Sequence, residues 1–524
     1  MKNRPGAAVL LGILALGCIL SMSSCWWPTV DLTFLGDGEN TDGTGIGPVT
    51  GFGSIKLAGA VFSEDNTTII VDDEGRTIDN VIEGMVVTVH GTLDQSFRSG
   101  AASKITIERE VRGPVDDNGV TLADDSVRVL GQTVLVTPGT VFVRFSGGET
   151  DLVALKADLD NTLHPELEVH GGVDDLGVIH ATFIGRGRDN VVADDNVELR
   201  GKISNLDTLF RAFLIGAQQV DYSGLPAGGK VNWPVTGLTD GLFVEVRGLL
   251  DAVGGSGVVR TDRSGGLVEV KTVSLGSPRD RVMVEGYVVS GTEASFVMGV
   301  PNGTVTVNSG NAPTGGTFGL RQRVRVKGTV TGSAGATVQA SVVTTLSTED
   351  ILMEGSPDSP PSGTSMTLLG KTVEVDDFTL FRDQTGAIRK NFDLSRISPS
   401  DTVRVVGAFD NTVLPGKVIA AKVERLGATP AGTVTFQAPV SAPIGSPNLV
   451  MIGVTVRTDF TTTDYFDEGG VPIADQTAFF TELANRGAGT IVKVKRGIFT
   501  GGPPRINPPS DGSRMEVGFE QVNN

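Results

Sequence analysis

A chain of 524 residues with 43 Lys+Arg against 61 Asp+Glu is strongly acidic. That sign argues against non-specific nucleic-acid binding, which needs a basic footprint for the phosphates. Glycine supplies 70 residues and aromatics only 6%. Average glycine usage is about 7%, so this composition argues against long helices and points to short strands joined by glycine turns.

At the N-terminus, Lys2 and Arg4 precede an apolar run from Ala7 to Leu20. The run is too short for a membrane-spanning helix, which takes about 20 residues, and reads as a processing signal over 1–24. Small residues follow, Ser21-Met22-Ser23-Ser24-Cys25. They resemble the lipobox of bacterial lipoproteins, in which the cysteine is acylated and becomes the new N-terminus. Ala15-Leu16-Gly17-Cys18 is a second candidate, but it leaves Ile19 and Leu20 stranded. Plain secretion without acylation is the alternative. With Cys25 as the lipidation site, no thiol is left for a disulfide, and an acylated end holds the chain to a membrane without a spanning helix. Trp26 rather than Asp follows the cysteine, which by the sorting rule of such proteins implies the outer membrane. Without Lys2 and Arg4 the mature part has 41 cationic and 61 anionic residues, a balance of −20.

Residues 25–50 are dense in Gly, Asp and Thr and read as a tether between lipid and first domain. Gly43-Thr44-Gly45-Ile46-Gly47 within it lacks the strand, helix and spacing of a dinucleotide-binding loop.

Beyond the tether one phrase recurs. "VTVHG" at 87–91 returns as "LEVHG" at 167–171, "VEVRG" at 244–248, "VRVKG" at 324–328, "VRVVG" at 403–407 and "VKVKRG" at 492–497. The closing glycines, Gly91, Gly171, Gly248, Gly328, Gly407 and Gly497, are 80, 77, 80, 79 and 90 residues apart. That period suits a small domain rather than a solenoid repeat. The units run 51–110, 111–196, 197–277, 278–348, 349–428 and a divergent 429–524. Each opens on a strand holding a glycine: Gly51-Phe52-Gly53-Ser54-Ile55, Val111-Arg112-Gly113-Pro114-Val115, Leu199-Arg200-Gly201-Lys202-Ile203, Val284-Glu285-Gly286-Tyr287-Val288, Met353-Glu354-Gly355 and Ala431-Gly432-Thr433-Val434. Short helices are expected only at Asp151–Leu159 and Asp475–Ala484. The order β-β-β-(helix or turn)-β-β, with a glycine bend in the first strand, predicts an all-β fold of about six small OB-like barrels; a plain sandwich is the alternative. The closing glycine is expected to mark a turn.

The run from Gly51 to Glu110, with "GFGSIKLAGAVFS" and "TTIIVDDEGRTIDNVIEGMVVTVHGTLD", resembles the bacterial domain-of-unknown-function family 5666. The resemblance implies tandem OB-like copies in an exported protein or lipoprotein and brings no catalytic residues.

Four histidines, His90, His164, His170 and His180, are candidate metal ligands. His90 and His170 share one place in the phrase, where Arg247, Lys327, Val406 and Lys495 stand later. Those replacements are not divalent-metal ligands, so the histidines read as solvated strand-face residues. The acidic groups Asp72-Asp73, Asp116-Asp117, Asp124-Asp125, Asp174-Asp175, Asp194-Asp195 and Asp376-Asp377 lack dedicated calcium-loop spacing and read as turn chemistry. The cluster Leu209-Phe210-Arg211-Ala212-Phe213, with Tyr222 and Trp233, reads as core rather than as a binding platform. No nucleophile elbow, zinc motif, P-loop or C-x-x-C is present.

No catalytic residue, metal ligand or cofactor is therefore assigned, and the binding residues are unknown. The expectation is a non-enzymatic, lipid-anchored envelope protein of the outer membrane, facing the periplasm or the cell surface. It would act as a multidomain binding or structural module, with a calcium- or glycan-dependent adhesin or a scaffold for an envelope or export complex as alternatives. Its partners would be the membrane and an envelope protein or glycan.

Overall fold

Alternating apolar positions in short strands need closure to bury one face. Barrel 2 shows how each unit achieves it. Strands Val111–Thr121, Ser126–Val129 and Gln132–Arg144 form an antiparallel meander, a short helix α1 (Leu152–Asp160) follows, and strands Glu166–Val173 and Ile179–Arg186 complete the unit. The fifth strand pairs in parallel with the third and antiparallel with the fourth, which returns to the first. The closed order 1-2-3-5-4-1 is that of an OB barrel. A computed structural model describes residues 41–520 except 73–74, 78–80, 148–149, 256, 264, 311, 313–316, 333–334, 347, 387–390, 428–431, 460 and 512. It contains six units of this strand order, and in each the third and fifth strands run in parallel; among the described residues the ring of ladders is complete in the first four, while none joins the first and second strands of the fifth and sixth. Cys18 and Cys25 lie outside the described residues. No described helix is long and apolar enough to cross a membrane.

The two helices form where the sequence places them. Asp151 caps α1 by accepting from the Ala154 N–H, and Asp475 caps α2 (Gln476–Arg486) by accepting from Ala478. An aspartate at this position satisfies a donor that the helix itself leaves free.

The phrase glycine does something other than turn the chain. Gly91 lies inside strand Val86–Leu93, where the register against the fifth strand slips by one residue. The same slip occurs at Gly171, Gly328 and Gly407. A Cβ on Gly91 would stand 1.9 Å from the Ala101 carbonyl oxygen; at Gly171, Gly248, Gly328 and Gly407 the facing carbonyl is 2.1–2.5 Å away. The glycine therefore marks a bulge at which two backbones close up, tightening the curl of the sheet. The opening-strand glycine has a separate task. Gly113 leaves room for Leu130 and Gly201 for Ile215, where a Cβ would come within 2.4 and 2.5 Å.

The first barrel begins earlier than the sequence reading had it. Thr41–Gly51 is its opening strand, buried from Gly43 onward, so 41–50 is not tether. The misread glycines are packing sites: a Cβ on Gly45 would meet Leu57 at 2.5 Å, and one on Gly43 would meet Leu93 at 2.7 Å.

The barrels do not stand apart like beads. Opening strands pair across barrels: Gly43–Ile46 in parallel with Arg281–Val284, Val111 and Arg112 antiparallel with Leu199 and Glu198, and Leu352–Glu354 antiparallel with Thr435–Gln437. Barrels 1 and 4, 2 and 3, and 5 and 6 thus share three continuous sheets. The two antiparallel pairs have merged cores, one running from Val111 to Val270 and another from Ile351 to Phe519. Barrels 1 and 4 keep separate cores, and Val141 and Phe183 of barrel 2 pack into that of barrel 1. Between pairs, Phe378 of barrel 5 sits beside Gly59 of barrel 1 and under the Arg325 guanidinium of barrel 4, 4.0 Å from the ring centre.

Gly91→Ala should destabilise the protein by about 2 kcal/mol or more, because a backbone carbonyl occupies the new methyl's place. Gly445→Ala, where a Cβ meets nothing within 4 Å, should change stability by less than about 0.5 kcal/mol. Denaturant melts of the two variants decide it, and equal effects would contradict the steric account.

Candidate functional site

Side chains on a strand alternate in direction, so the polar positions of the phrase point out of the barrel. For a lone barrel that face meets water. Here it meets another barrel, and the chemistry of the chain is concentrated on it.

In barrels 2 and 3 the register lines up four strands. One row runs Glu168, Arg112, Glu198, Arg247; in the next, Arg200 faces Glu245, and its N–H donates to the Glu110 carbonyl at 2.9 Å. Along each row the sign alternates, which is the favourable arrangement for directly opposed residues. Arg200 is wholly enclosed and lies 2.9 Å from both Glu108 and Glu245. Glu245, also enclosed, takes Lys271 at 3.1 Å and Arg247.

The segment Glu108-Arg109-Glu110 joins barrel 1 to barrel 2, and all three of its charged residues are buried. The Glu108 carboxylate accepts from Thr88 of barrel 1 (3.0 Å), Arg200 of barrel 3 (2.9 Å) and Asn302 of barrel 4 (3.0 Å). Its backbone carbonyl lies 2.7 Å from His170 Nδ1 of barrel 2. One residue thus touches four barrels. Arg109 lies 3.8–3.9 Å from Asp72, Glu168 and Glu198. Burial pushes the Glu168 carboxyl up, but the His170 hydrogen bond and the charges of His170, Arg109 and Arg112 outweigh it and hold it below the usual range. Glu110 is 2% exposed and no hydrogen bond reaches its carboxyl among the described residues. Burial pushes that carboxyl up to about 7, against the pull of Arg200 and with the help of Glu108.

Comparable pairs recur with the sign reversed in barrels 4 and 5. Glu285 faces Arg325 and Glu354 faces Arg404, at 2.8 and 3.0 Å. Glu424 is buried, which raises its carboxyl, yet Lys422, Arg382 and Arg404 bring it down to about 2. Lys422 also donates to the Thr140 carbonyl of barrel 2 at 3.3 Å. A cavity of about 20 Å³ lies where barrels 1, 2 and 4 meet, lined by Pro48, Gly172, Thr182 and Tyr287 among others. It has room for about one water molecule.

His170 and His180 are buried rather than solvated, while His90 and His164 are half-buried. His170 is fully buried with both ring nitrogens against acceptors, Glu108 O and Glu168 Oε1 (2.9 Å). His180 stacks on Tyr287 of barrel 4 at 4.1 Å and lies 3.1 Å from Asp174. His90 meets Thr44 Oγ1 at 3.1 Å, and His164 meets the Val115 carbonyl at 3.1 Å. Among the described residues no group of three or more His, Cys, Asp or Glu converges on a metal position. Three of the acidic groups work as turns: Asp174 accepts from the Leu176 and Val178 N–H groups, Asp195 from Val192 and Asp376 from Phe378; Asp116 instead lies within strand Val111–Thr121 and accepts from the distant Gly131 N–H. Asp124 and Asp125 stand at the hairpin of barrel 2; burial pushes Asp125 up to about 6, helped by Glu520 of barrel 6. Asp73 lies outside the described residues. The aromatic cluster divides. Phe213 and Tyr222 join the core and Trp233 packs on it, whereas Leu209 and Phe210 are 83% and 72% exposed at a hairpin tip. Asp207 holds that tip by accepting from both of their N–H groups. Cys25, the proposed lipidation site, lies outside the described residues.

Residues 112–185 and 358–424 match the model of a family described as Domain of unknown function (DUF5666). The matches fall on barrels 2 and 5, so the tandem resemblance drawn from 51–110 is carried by other copies of the unit. No curated protein matches the chain.

Arg200→Met should cost about 3–5 kcal/mol, since it leaves Glu108 and Glu245 buried without their shared cation. Arg211→Met, on an exposed hairpin, should cost less than about 0.5 kcal/mol. Equilibrium unfolding measures both, and a small loss for Arg200→Met would show that the seam is not electrostatically held.

Proposed function

We propose that the chain is a non-enzymatic envelope protein, anchored at the outer membrane through acylated Cys25, that acts as a rigid structural or binding module. The observation that carries this reading is the use made of its ionisable groups. Glu108 bonds Arg200 of barrel 3 and Asn302 of barrel 4, Lys422 of barrel 5 donates to Thr140 of barrel 2, and Arg321 of barrel 4 pairs with Asp175 of barrel 2, so these groups join barrels instead of lining an open cleft. Joined in this way, the barrels present their outer surfaces at fixed spacing, which favours a scaffold over a string of flexible binders. A preorganised surface loses less freedom on binding than a tethered one. The partner proposed is an envelope protein or glycan, and the balance of −20 speaks against nucleic acid.

The calcium-dependent adhesin is the weaker reading, because the acidic turns that motivated it already bond their own N–H groups and neighbouring arginines. Thermal melting in calcium and again with a chelator should give the same transition, and a calcium-dependent rise of several degrees would restore the adhesin reading.

Anchoring is tested by labelled fatty acid. Incorporation should vanish in Cys25→Ser and persist in Cys18→Ser; label retained in Cys25→Ser would overturn the anchor site. Crosslinking in intact cells from Cys residues placed on the outer barrel faces tests the module itself. A specific envelope partner held at sites on several barrels is expected, and contacts confined to one barrel would contradict a rigid multi-barrel scaffold.

A further inference from the structure

The junction between barrels 1, 2 and 3 contains one carboxyl that its ion pairs leave out. Glu110 is the last residue of the segment linking barrels 1 and 2. Its N–H donates to the Val169 carbonyl of barrel 2, and its carbonyl accepts from the Arg200 N–H of barrel 3, both at 2.9 Å. The backbone at this residue is therefore part of the ladder that joins the two barrels. Its side chain is nine-tenths buried and accepts no hydrogen bond among the described residues.

The charged groups around it are already engaged. Arg200, the cation acting on it, bonds Glu108 and Glu245. Glu108 is a like charge held by Thr88, Arg200 and Asn302. From barrel 2, Arg112 pairs with Glu166, while Glu168 takes His170 and Arg109. From barrel 3, Glu198 lies between Arg109 and Arg247, and Lys271 serves Glu245 and Glu269. An ionised Glu110 would add a buried charge with no cation committed to it, and such a charge is costly unless water reaches it.

We propose that Glu110 is a proton-operated latch of the seam between barrels 2 and 3, closed while its carboxyl is protonated and loosened when it ionises. The sign follows from linkage. A carboxyl that ionises at about 7 in the folded chain and near 4.3 when unfolded favours the folded state below the lower value. That contribution falls away as pH rises towards the upper one and is gone above it. Over that window the folded chain holds one proton more than the unfolded chain, which changes the folding equilibrium about tenfold per pH unit. Glu110→Gln keeps the neutral shape at every pH and removes this dependence.

The test compares melting temperatures of the wild-type chain and Glu110→Gln from pH 4 to pH 8. The variant should lie close to wild type at pH 4 and melt progressively higher than it up to pH 7, with a constant gap above. A gap that does not change with pH would overturn the latch. If Glu110→Gln fails to fold, infrared difference spectra of an Asp125→Asn chain carry the test, because burial raises Asp125 into the same range. A protonated-carboxyl stretch persisting at pH 6 and lost by pH 8 supports the proposal; its absence at pH 6 overturns it.

Discussion

Arg200 and Glu245 face each other on adjacent strands of barrel 3, at a place that is outside the barrel yet inside the protein. Most of the arrangement depends on how such pairs are made. A small closed barrel has only enough interior for its apolar face, so its outer face must be wet or be matched. Matching is achieved by alternating signs along rows that cross two barrels, Glu168–Arg112–Glu198–Arg247 being the clearest. Charges enclosed in this way gain little over an apolar contact, but they disfavour other registers strongly, since a shift of two residues along a strand would set like charges together.

The backbone provides the other half of the design. The opening strand of a five-stranded barrel leaves part of one edge unpaired, and an unpaired edge invites association. Each barrel closes that edge with the opening strand of a sister. Two of the three unions are antiparallel and bring the cores together; the parallel one, between barrels 1 and 4, encloses barrels 2 and 3 in sequence and leaves two cores. The glycines of the phrase in barrels 1 to 5 then let fourth and fifth strands approach closely.

Much of this was legible in the chain. The six-fold phrase counted the barrels because its apolar positions are core and its glycine is sterically required. Both helices fall at the two expected segments, and an aspartate caps each. The start of barrel 1 is hidden because Gly43, Gly45 and Gly47 look like linker, yet "IGPV" at 46–49 parallels "RGPV" at 112–115 and points to the true strand. The outward polar face reads as solvated from sequence alone, for alternation says which side of a strand is outside a barrel and nothing about what lies there. The available signal was complementarity. Arg112 with Glu168 and Arg200 with Glu245 carry one polarity, and Glu285 with Arg325 and Glu354 with Arg404 the other. Burial of Glu108-Arg109-Glu110 had no such signal, because a run of three charges between strands ordinarily means a solvated connector.

The central claim is that barrels 2 and 3 form one cooperative body across a charged seam. Native-state hydrogen exchange at pH 6 measures it directly at the Arg200 amide, which donates to the Glu110 carbonyl across the seam, and at the Glu110 amide beside it. Exchange of these amides only with global unfolding, in step with core amides such as Val169 and Val246, is the predicted result. Early exchange at the seam while the barrel cores stay protected would show that the barrels are separable, and would contradict the account.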